Sequence, residues 1–316
     1  MFRIVIRVSV FLALLYLACL GLQGIVDAGL KKSELSNYKE WNEILYSTMN
    51  KDVIIQGSSR ASADISPAAI DSAFHVRSYN LGLDGYDFLM QDCRWQLYLE
   101  RNKKPTWIIV SLDYNSFQLR DNLLMHYQFL PYLDLPLIRE ATRYYPGGFD
   151  FKDYYFPLYK YHNAPASVAA GIARFVLGKK YNNGKRNGFK AREKKWDNSF
   201  EEFKASTPQG ITGRFDTLDV HRFERFLRAC KRQHIAVILV YPPEYIELQH
   251  LMVNRGSTQK FYQQLSENYH VPYLDYSNDP VCFSTDYFYN SQHLNASGVK
   301  QFTKHLLHDL GTIGLK

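Results

Sequence analysis

The spacing of apolar positions along the chain switches repeatedly between the two-residue period of strands and the longer period of helices. Val53–Gln56 is a short apolar run that stops at Gly57, and Ser66-Pro67 supplies an N-cap and a first-turn proline for a short helix. Residues 77–81 predict a second strand. Leu89, Cys93 and Leu97 then recur at four-residue intervals, the mark of a helix. Residues 106–112, TWIIVSL, form a third and strongly β-prone run. After a long interruption, Val220, Phe223, Phe226, Leu227 and Cys230 share one helical face. The stretch AVILVYPP reads as a buried strand stopped by Pro242 and Pro243. A helix over 258–268 leads to a fifth strand over 271–276. Asn295 then caps a last helix with an apolar stripe at Val299, Phe302, Leu306 and Leu310. Strands alternating with helices predict the α/β class, as a three-layer α/β/α sandwich around a parallel five-stranded sheet.

Two segments break the alternation. Residues 8–26 are apolar except for Ser9, Gly21, Gln23 and Gly24, long enough for a membrane-crossing helix of about 20 residues. The run has no clear small-residue cleavage site. Cys19 after Leu17-Ala18 bears a faint likeness to a lipoprotein site, but Tyr16 stands where that pattern wants an aliphatic residue. The expected organisation is an uncleaved signal-anchor helix over 1–30, a membrane-proximal helix or linker over 31–51, and an α/β domain over 52–316. Arg3 and Arg7 precede the run and Lys31 and Lys32 follow it, so charge alone does not orient it. The short amino-terminal tail favours a single-pass protein of the inner or cytoplasmic membrane, with its α/β domain extracytoplasmic (periplasmic). The second break, about 117–216, is a large insertion after the third strand, rich in Tyr, Phe and Pro and expected over the carboxyl edge of the sheet. Its basic run, KKYNNGKRNGFKAREKKW, is either a solvated loop or a contact for anionic head groups or a charged envelope polymer.

Composition narrows the class. With 316 residues, 46% hydrophobic and 15% aromatic, the chain can bury a sizeable core. A net charge of +7 would suit nucleic acid, but the basic residues are dispersed and no nucleic-acid-binding signature accompanies them. Cys93 and Cys230 lie in helical patterns and Cys282 stands apart; no His/Cys cluster has metal-ligand spacing, so neither metal nor other cofactor is implied.

The candidate chemistry sits at strand ends. Ser59 follows the first strand in GSSRA, Gly85 the second in NLGLDG, and Asn115 the third in SLDYNS, while His293 precedes the last helix in FYNSQHLNASGV. In a parallel sheet these carboxyl ends converge on one crevice, so distance in sequence is no obstacle. Each residue has a plainer explanation: Ser58 and Ser59 as helix caps, Gly82 and Gly85 as turn formers, Asn115 in an Asx-turn, His293 as structural.

The order Gly-x-Ser, Gly, Asn and a carboxyl-terminal His resembles the SGNH (GDSL-like) hydrolase family. The likeness is to its membrane-anchored envelope branch of alginate O-acetylation and DltD-type proteins. It covers both ends of the exported domain and leaves the insertion unmatched. It implies an SGNH, flavodoxin-like sandwich with Ser59 as nucleophile and His293 as general base. The amides of Ser59 and Gly85 and the side chain of Asn115 would form the oxyanion hole. The family's Asp, three residues before the histidine, is Asn290 here; an asparagine can accept from an imidazole N–H but adds no charge. Asp286, or an acid of the insertion, could substitute. The resemblance further implies an O-acyltransferase or esterase acting on acyl, chiefly O-acetyl, esters of an extracytoplasmic polysaccharide through an acyl-serine intermediate. Its implied partners are that acylated polysaccharide or glycan and a membrane-bound O-acyltransferase, with no nucleic acid. A rival expectation is a non-catalytic scaffold or glycan-binding subunit, with Asn290 marking lost turnover.

Overall fold

A computed structural model describes residues 1–316 except Thr48, 181–183, Asn198 and Lys316. It groups the chain into two units: Met1–Ser47 with Asp121–Asn183, and Thr48–Arg120 with Gly184–Lys316. The segment expected as one insertion is therefore divided, its first part folding with the N-terminal helices and its second with the sheet.

The sheet unit holds β1 (Val53–Gln56), β2 (Ser78–Asn80), β3 (Trp107–Ser111), β4 (Ala236–Tyr241) and β5 (Tyr273–Asp275), all parallel, in the order β2-β1-β3-β4-β5. The α/β class and the five-stranded parallel sheet are as the alternation predicted. Strand ends are trimmed relative to the apolar runs, although Leu81 N–H still donates to Ile55 O at 2.7 Å just past the end of β2. Register places Ile55 opposite Asn80 and Ile109, and Ile109 opposite Ile238.

Alternation along the strands sends successive side chains to opposite faces. Val53, Ile55, Ile109, Ile238 and Val240 join Val299, Phe302, Leu306 and Leu310 of the helix Ala296–Ile313 in one core. That helix is capped as expected, Asn295 Oδ1 accepting from Gly298 N at 2.9 Å. On the other side, helices Phe88–Arg101 and Thr217–Arg232 pack together through aromatic rings. Phe88 meets Phe223 edge-to-face at 4.8 Å, and Trp95 meets Phe226 at 6.0 Å. Both faces of the sheet are thus dry, as an all-parallel sheet requires. Cys93 and Cys230 are buried and the four cysteines are free thiols.

The other unit is built on the helix Phe2–Leu30, whose most apolar stretch has mean hydropathy 2.4 and is long enough to cross a membrane. A second helix, Ser36–Tyr46, occupies the middle of the membrane-proximal segment. Trp41 is fully buried here, its Nε1 donating to Gln128 Oε1 at 3.1 Å, and Tyr38 donates to Ser167 Oγ at 2.8 Å. The helix Pro165–Leu177 crosses Phe2–Leu30 in backbone contact: a Cβ at Gly29 would overlap the Gly171 carbonyl oxygen, and one at Gly171 would come within 2.7 Å of Val26 O. Small residues at a crossing allow such an approach, as between helices in membranes. Near that crossing Lys160 Nζ pairs with Asp27 at 2.9 Å, and Tyr161 also hydrogen-bonds Asp27.

Candidate active site

The strand order reverses direction of growth between β1 and β3, so the crevice outside their carboxyl ends is where a doubly wound sheet offers a ligand site. The chain leaves β1 through Gly57 at φ +150°, where a Cβ would come within 2.8 Å of the Ser111 backbone and 2.9 Å of Ala61 Cβ. Only glycine fits that turn. The two serines then divide the work. Ser58 is the N-cap of the helix Ser59–Asp64: its Oγ accepts from Arg60 N at 3.4 Å and donates to Asp113 Oδ2. Ser59, the first helical residue, is left with an uncommitted hydroxyl, which lies 2.7 Å from His293 Nε2.

His293 is held by a two-strand antiparallel hairpin, β6 (Phe288–Asn290) and β7 (His293–Leu294), that the sequence periodicity did not announce. Leu294 N–H donates to Asp64 Oδ1 at 3.0 Å, tying the hairpin to the far end of the helix that starts at Ser59. The Tyr289 ring stacks on the imidazole, 5.4 Å between centroids and 6° between planes.

Asn290 closes the relay. Its Oδ1 accepts the backbone N–H groups of Gln292 at 3.1 Å and His293 at 3.0 Å, and lies 2.9 Å from His293 Nδ1. Two backbone donors can be met only by the amide oxygen, so the atom facing Nδ1 is an acceptor. Nδ1 therefore carries the proton, and Nε2 presents a lone pair to the Ser59 hydroxyl. Burial, then the positive charge of Arg60 with that of Arg192, holds the imidazole pKa down at about 4, against the pull of Asp84. The histidine is neutral at pH 7 and able to accept a proton.

Gly85 (φ +75°) and Asn115 line, together with Ser59, a cavity of about 90 Å³ whose wall includes Arg60, Asp113 and Gln292. The turn carrying Gly85 is stitched to the helix Ser59–Asp64 by Asn80. Its Nδ2 donates to Ala61 O at 2.7 Å and Ile65 O at 2.9 Å, while its Oδ1 accepts from Gly82 N. The structure thus brings Ser59, Gly85 and Asn115 to one cavity, with His293 and Asn290 in line behind Ser59.

Among the described residues no carboxylate takes the place of the family's Asp in the hydrogen bonding of His293, whose ring meets Asn290 and Ser59. Asp286 sits at the turn before β6, where its backbone carbonyl accepts from Asn295 Nδ2, and it does not enter the hydrogen bonding of His293. The carboxylate that acts electrostatically on the imidazole is Asp84, which accepts from Ser62 Oγ. Sequence reading also missed Arg60 and Glu244. Arg60 is buried against Glu244, with NH1 to Oε2 at 3.3 Å, lies 4.8 Å from the centroid of the Tyr241 ring and donates to Pro242 O. Charged residues are seldom fully buried, so only their positions, four residues past the end of β1 and three past the end of β4, hinted at a role.

Comparison with known proteins follows this geometry. No protein-family profile and no curated protein matches the chain. Among solved structures it is similar to a candidate acylhydrolase from Bacteroides fragilis NCTC 9343, with 12% identity and TM-score 0.43, covering 89% of this chain and 97% of that one. A candidate lipolytic protein of the G-D-S-L family from Desulfitobacterium hafniense DCB-2 is also similar, with 12% identity and TM-score 0.39, over 82% of this chain and 99% of that one. A third is a candidate platelet activating factor from Streptococcus pneumonia, with 12% identity and TM-score 0.41, over 89% and 94%. Likeness at that level leaves the chemistry to the side chains themselves.

Proposed function

We propose that the chain is a serine-dependent esterase or O-acyltransferase, anchored by the helix Phe2–Leu30, that handles short acyl esters of an extracytoplasmic polysaccharide. The observation that carries this reading is the unbroken line Ser59 Oγ–His293 Nε2 at 2.7 Å and His293 Nδ1–Asn290 Oδ1 at 2.9 Å. A hydroxyl in contact with an oriented, neutral imidazole is the arrangement of an activated nucleophile.

Ser59 Oγ attacks the ester carbonyl carbon as its proton passes to His293 Nε2. The tetrahedral oxyanion is held by donors of the cavity, the Ser59 and Gly85 N–H groups and the Asn115 amide. The same proton then moves from His293 to the departing alkoxide, the C–O bond breaks, and an acyl-Ser59 ester remains. Water releases it as a free acid, regenerating the serine; a sugar hydroxyl carries it off as a new ester.

Two features favour a short acyl group on a charged glycan. The 90 Å³ cavity is far below the roughly 300–1,000 Å³ of pockets that enclose drug-sized ligands, so an acetyl-sized group suits it and a fatty chain does not. Near the imidazole, Arg192 acts on His293, and Lys194 Nζ lies 5.8 Å from the centre of the Tyr289 ring. That part of the basic run suits an anionic polymer. A membrane-bound O-acyltransferase is the donor partner that the SGNH-like motifs imply.

The test is hydrolysis of 4-nitrophenyl acetate and 4-nitrophenyl octanoate by the full chain in detergent. Acetate turnover that disappears in Ser59→Ala, with the octanoate ester slower, supports the proposal. No turnover of either ester, with glycan binding retained, would favour the scaffold reading that Asn290 raises.

A further inference from the structure

The unit containing the apolar helix has polar side chains where a membrane span tolerates few. Between Arg7 and Asp27 the helix is uncharged for about 28 Å at 1.5 Å per residue, close to the roughly 30 Å of a bilayer's hydrocarbon. Tyr16 lies near the middle of that stretch and Gln23 towards its Asp27 end. Both are spent on one loop: Tyr16 OH donates to Tyr155 O at 3.3 Å, and Gln23 Oε1 accepts from Leu158 N at 2.7 Å.

Backbone groups outside regular structure need protein partners at membrane depth, where no water is available to satisfy them. On a water-exposed loop the same two bonds would add little. The loop meets the rest of that requirement as well. Its short helix Phe151–Tyr155 is closed by a capping box, with Asp150 Oδ1 accepting from Lys152 N at 2.7 Å and Asp153 Oδ2 from Asp150 N at 2.9 Å. Phe156 N donates to Lys152 O at 3.0 Å.

The side chains complete the picture. Phe151, Tyr155 and Phe156 are 63%, 57% and 53% exposed, and the Phe151 ring meets both others, with Phe151–Tyr155 at 4.8 Å and Phe151–Phe156 at 6.0 Å between ring centroids. A cluster of three exposed aromatic rings beside an apolar span matches the aromatic belt at membrane–water boundaries. Asp150, Lys152 and Asp153 stand beside it, and such charges belong among head groups rather than in hydrocarbon.

We propose that residues 151–158 are a membrane foot beside the anchor, reaching from the head-group region at the level of Gln23 into the acyl region at the level of Tyr16, with Phe151, Tyr155 and Phe156 against lipid. This rests on the anchored reading of Phe2–Leu30 and makes the first half of the insertion a second membrane attachment. The foot fixes how the anchor unit stands on the lipid surface.

The full chain is reconstituted in phosphatidylcholine–phosphatidylglycerol vesicles with Cys19→Ala, the remaining thiols being buried. Nitroxide labels are placed singly at Phe156→Cys, at Leu14→Cys on the anchor, and at the exposed Phe283→Cys of the sheet unit. Spin-relaxation accessibility to oxygen and to a water-soluble nickel chelate is then measured. The foot predicts that the label at 156 is severalfold more accessible to oxygen relative to the chelate than the label at 283, as is the label at 14. A label at 156 that behaves like the one at 283, while 14 is lipid-exposed, overturns the foot and leaves the anchor standing. All three labels in water would overturn the anchor and the foot together.

Discussion

Replacing Asn290 by Asp is expected to make the site faster, and the size of the gain can be worked from the relay. In Ser-His-Asp enzymes the reverse exchange costs about 10⁴-fold because it leaves the wrong imidazole tautomer. Here the tautomer is already right, since Asn290 Oδ1 is pinned by two backbone N–H groups and faces Nδ1 at 2.9 Å. What is missing is only charge opposite the imidazolium that forms in the transition state. Unit charges about 4 Å apart attract by ~4 kcal/mol at an effective dielectric of about 20. Each 1.36 kcal/mol is tenfold in rate, so about 10³-fold is the ceiling. Desolvating the new carboxylate subtracts from this, though the same two backbone donors offset part of the cost. The expected rise in kcat/KM for 4-nitrophenyl acetate in Asn290→Asp is therefore about 10- to 10³-fold. The carboxylate should also raise the His293 pKa by roughly 1–3 units. An unchanged or lower kcat/KM, in a variant that melts like the parent, would refute the claim that His293 gains charge against residue 290 during the reaction.

Other outcomes follow from the same geometry. The acid limb of kcat/KM in the parent protein should fall near pH 4 rather than near 6.5, because burial and Arg60 keep His293 neutral. The linked stability has a defined sign: a histidine depressed by folding contributes fully above pH 6.5, and that contribution is lost as pH falls from 6.5 towards 4 in urea titrations. Arg60→Met alone strands Glu244 in the interior and should cost about 3–5 kcal/mol by thermal melting. Arg60→Met with Glu244→Leu should recover much of that loss while moving the acid limb upward, since the charge repelling imidazolium is gone. Gly29→Ala should destabilise the anchor unit by about 1–3 kcal/mol, seen as faster proteolysis within residues 121–183 in detergent, because its Cβ has no room beside Gly171.

The sheet was legible in the sequence because its strands are apolar on both faces and its helices on one. The stripe Val299, Phe302, Leu306 and Leu310 lands in the core for that reason. The pairing of Ser59 with His293 was legible through topology, since carboxyl strand ends converge whatever their separation along the chain. Periodicity reports which faces are apolar but not what covers them, and so the packing of residues 121–180 with the anchor helix stayed hidden. The hairpin presenting His293 is too short to carry an alternating pattern. Which carboxylate acts on His293, Asp286 or an acid of the insertion in the sequence reading, was a question of distance in space. Asp286 is nearer to His293 in sequence, yet Asp84, in the turn after β2, is the one that acts on it. Arg60 and Glu244 are a buried pair that no periodicity marks.

The central claim is that the Ser59 hydroxyl is a nucleophile activated by His293, and covalent capture tests it most directly. The full chain is treated with a fluorophosphonate at pH 7 and digested, and the adduct is located by mass spectrometry. A single phosphonylated site at Ser59, abolished by His293→Ala while Ser58→Ala still labels, is the predicted result. An unmodified Ser59 in folded protein, or an adduct confined to another serine, would contradict the account.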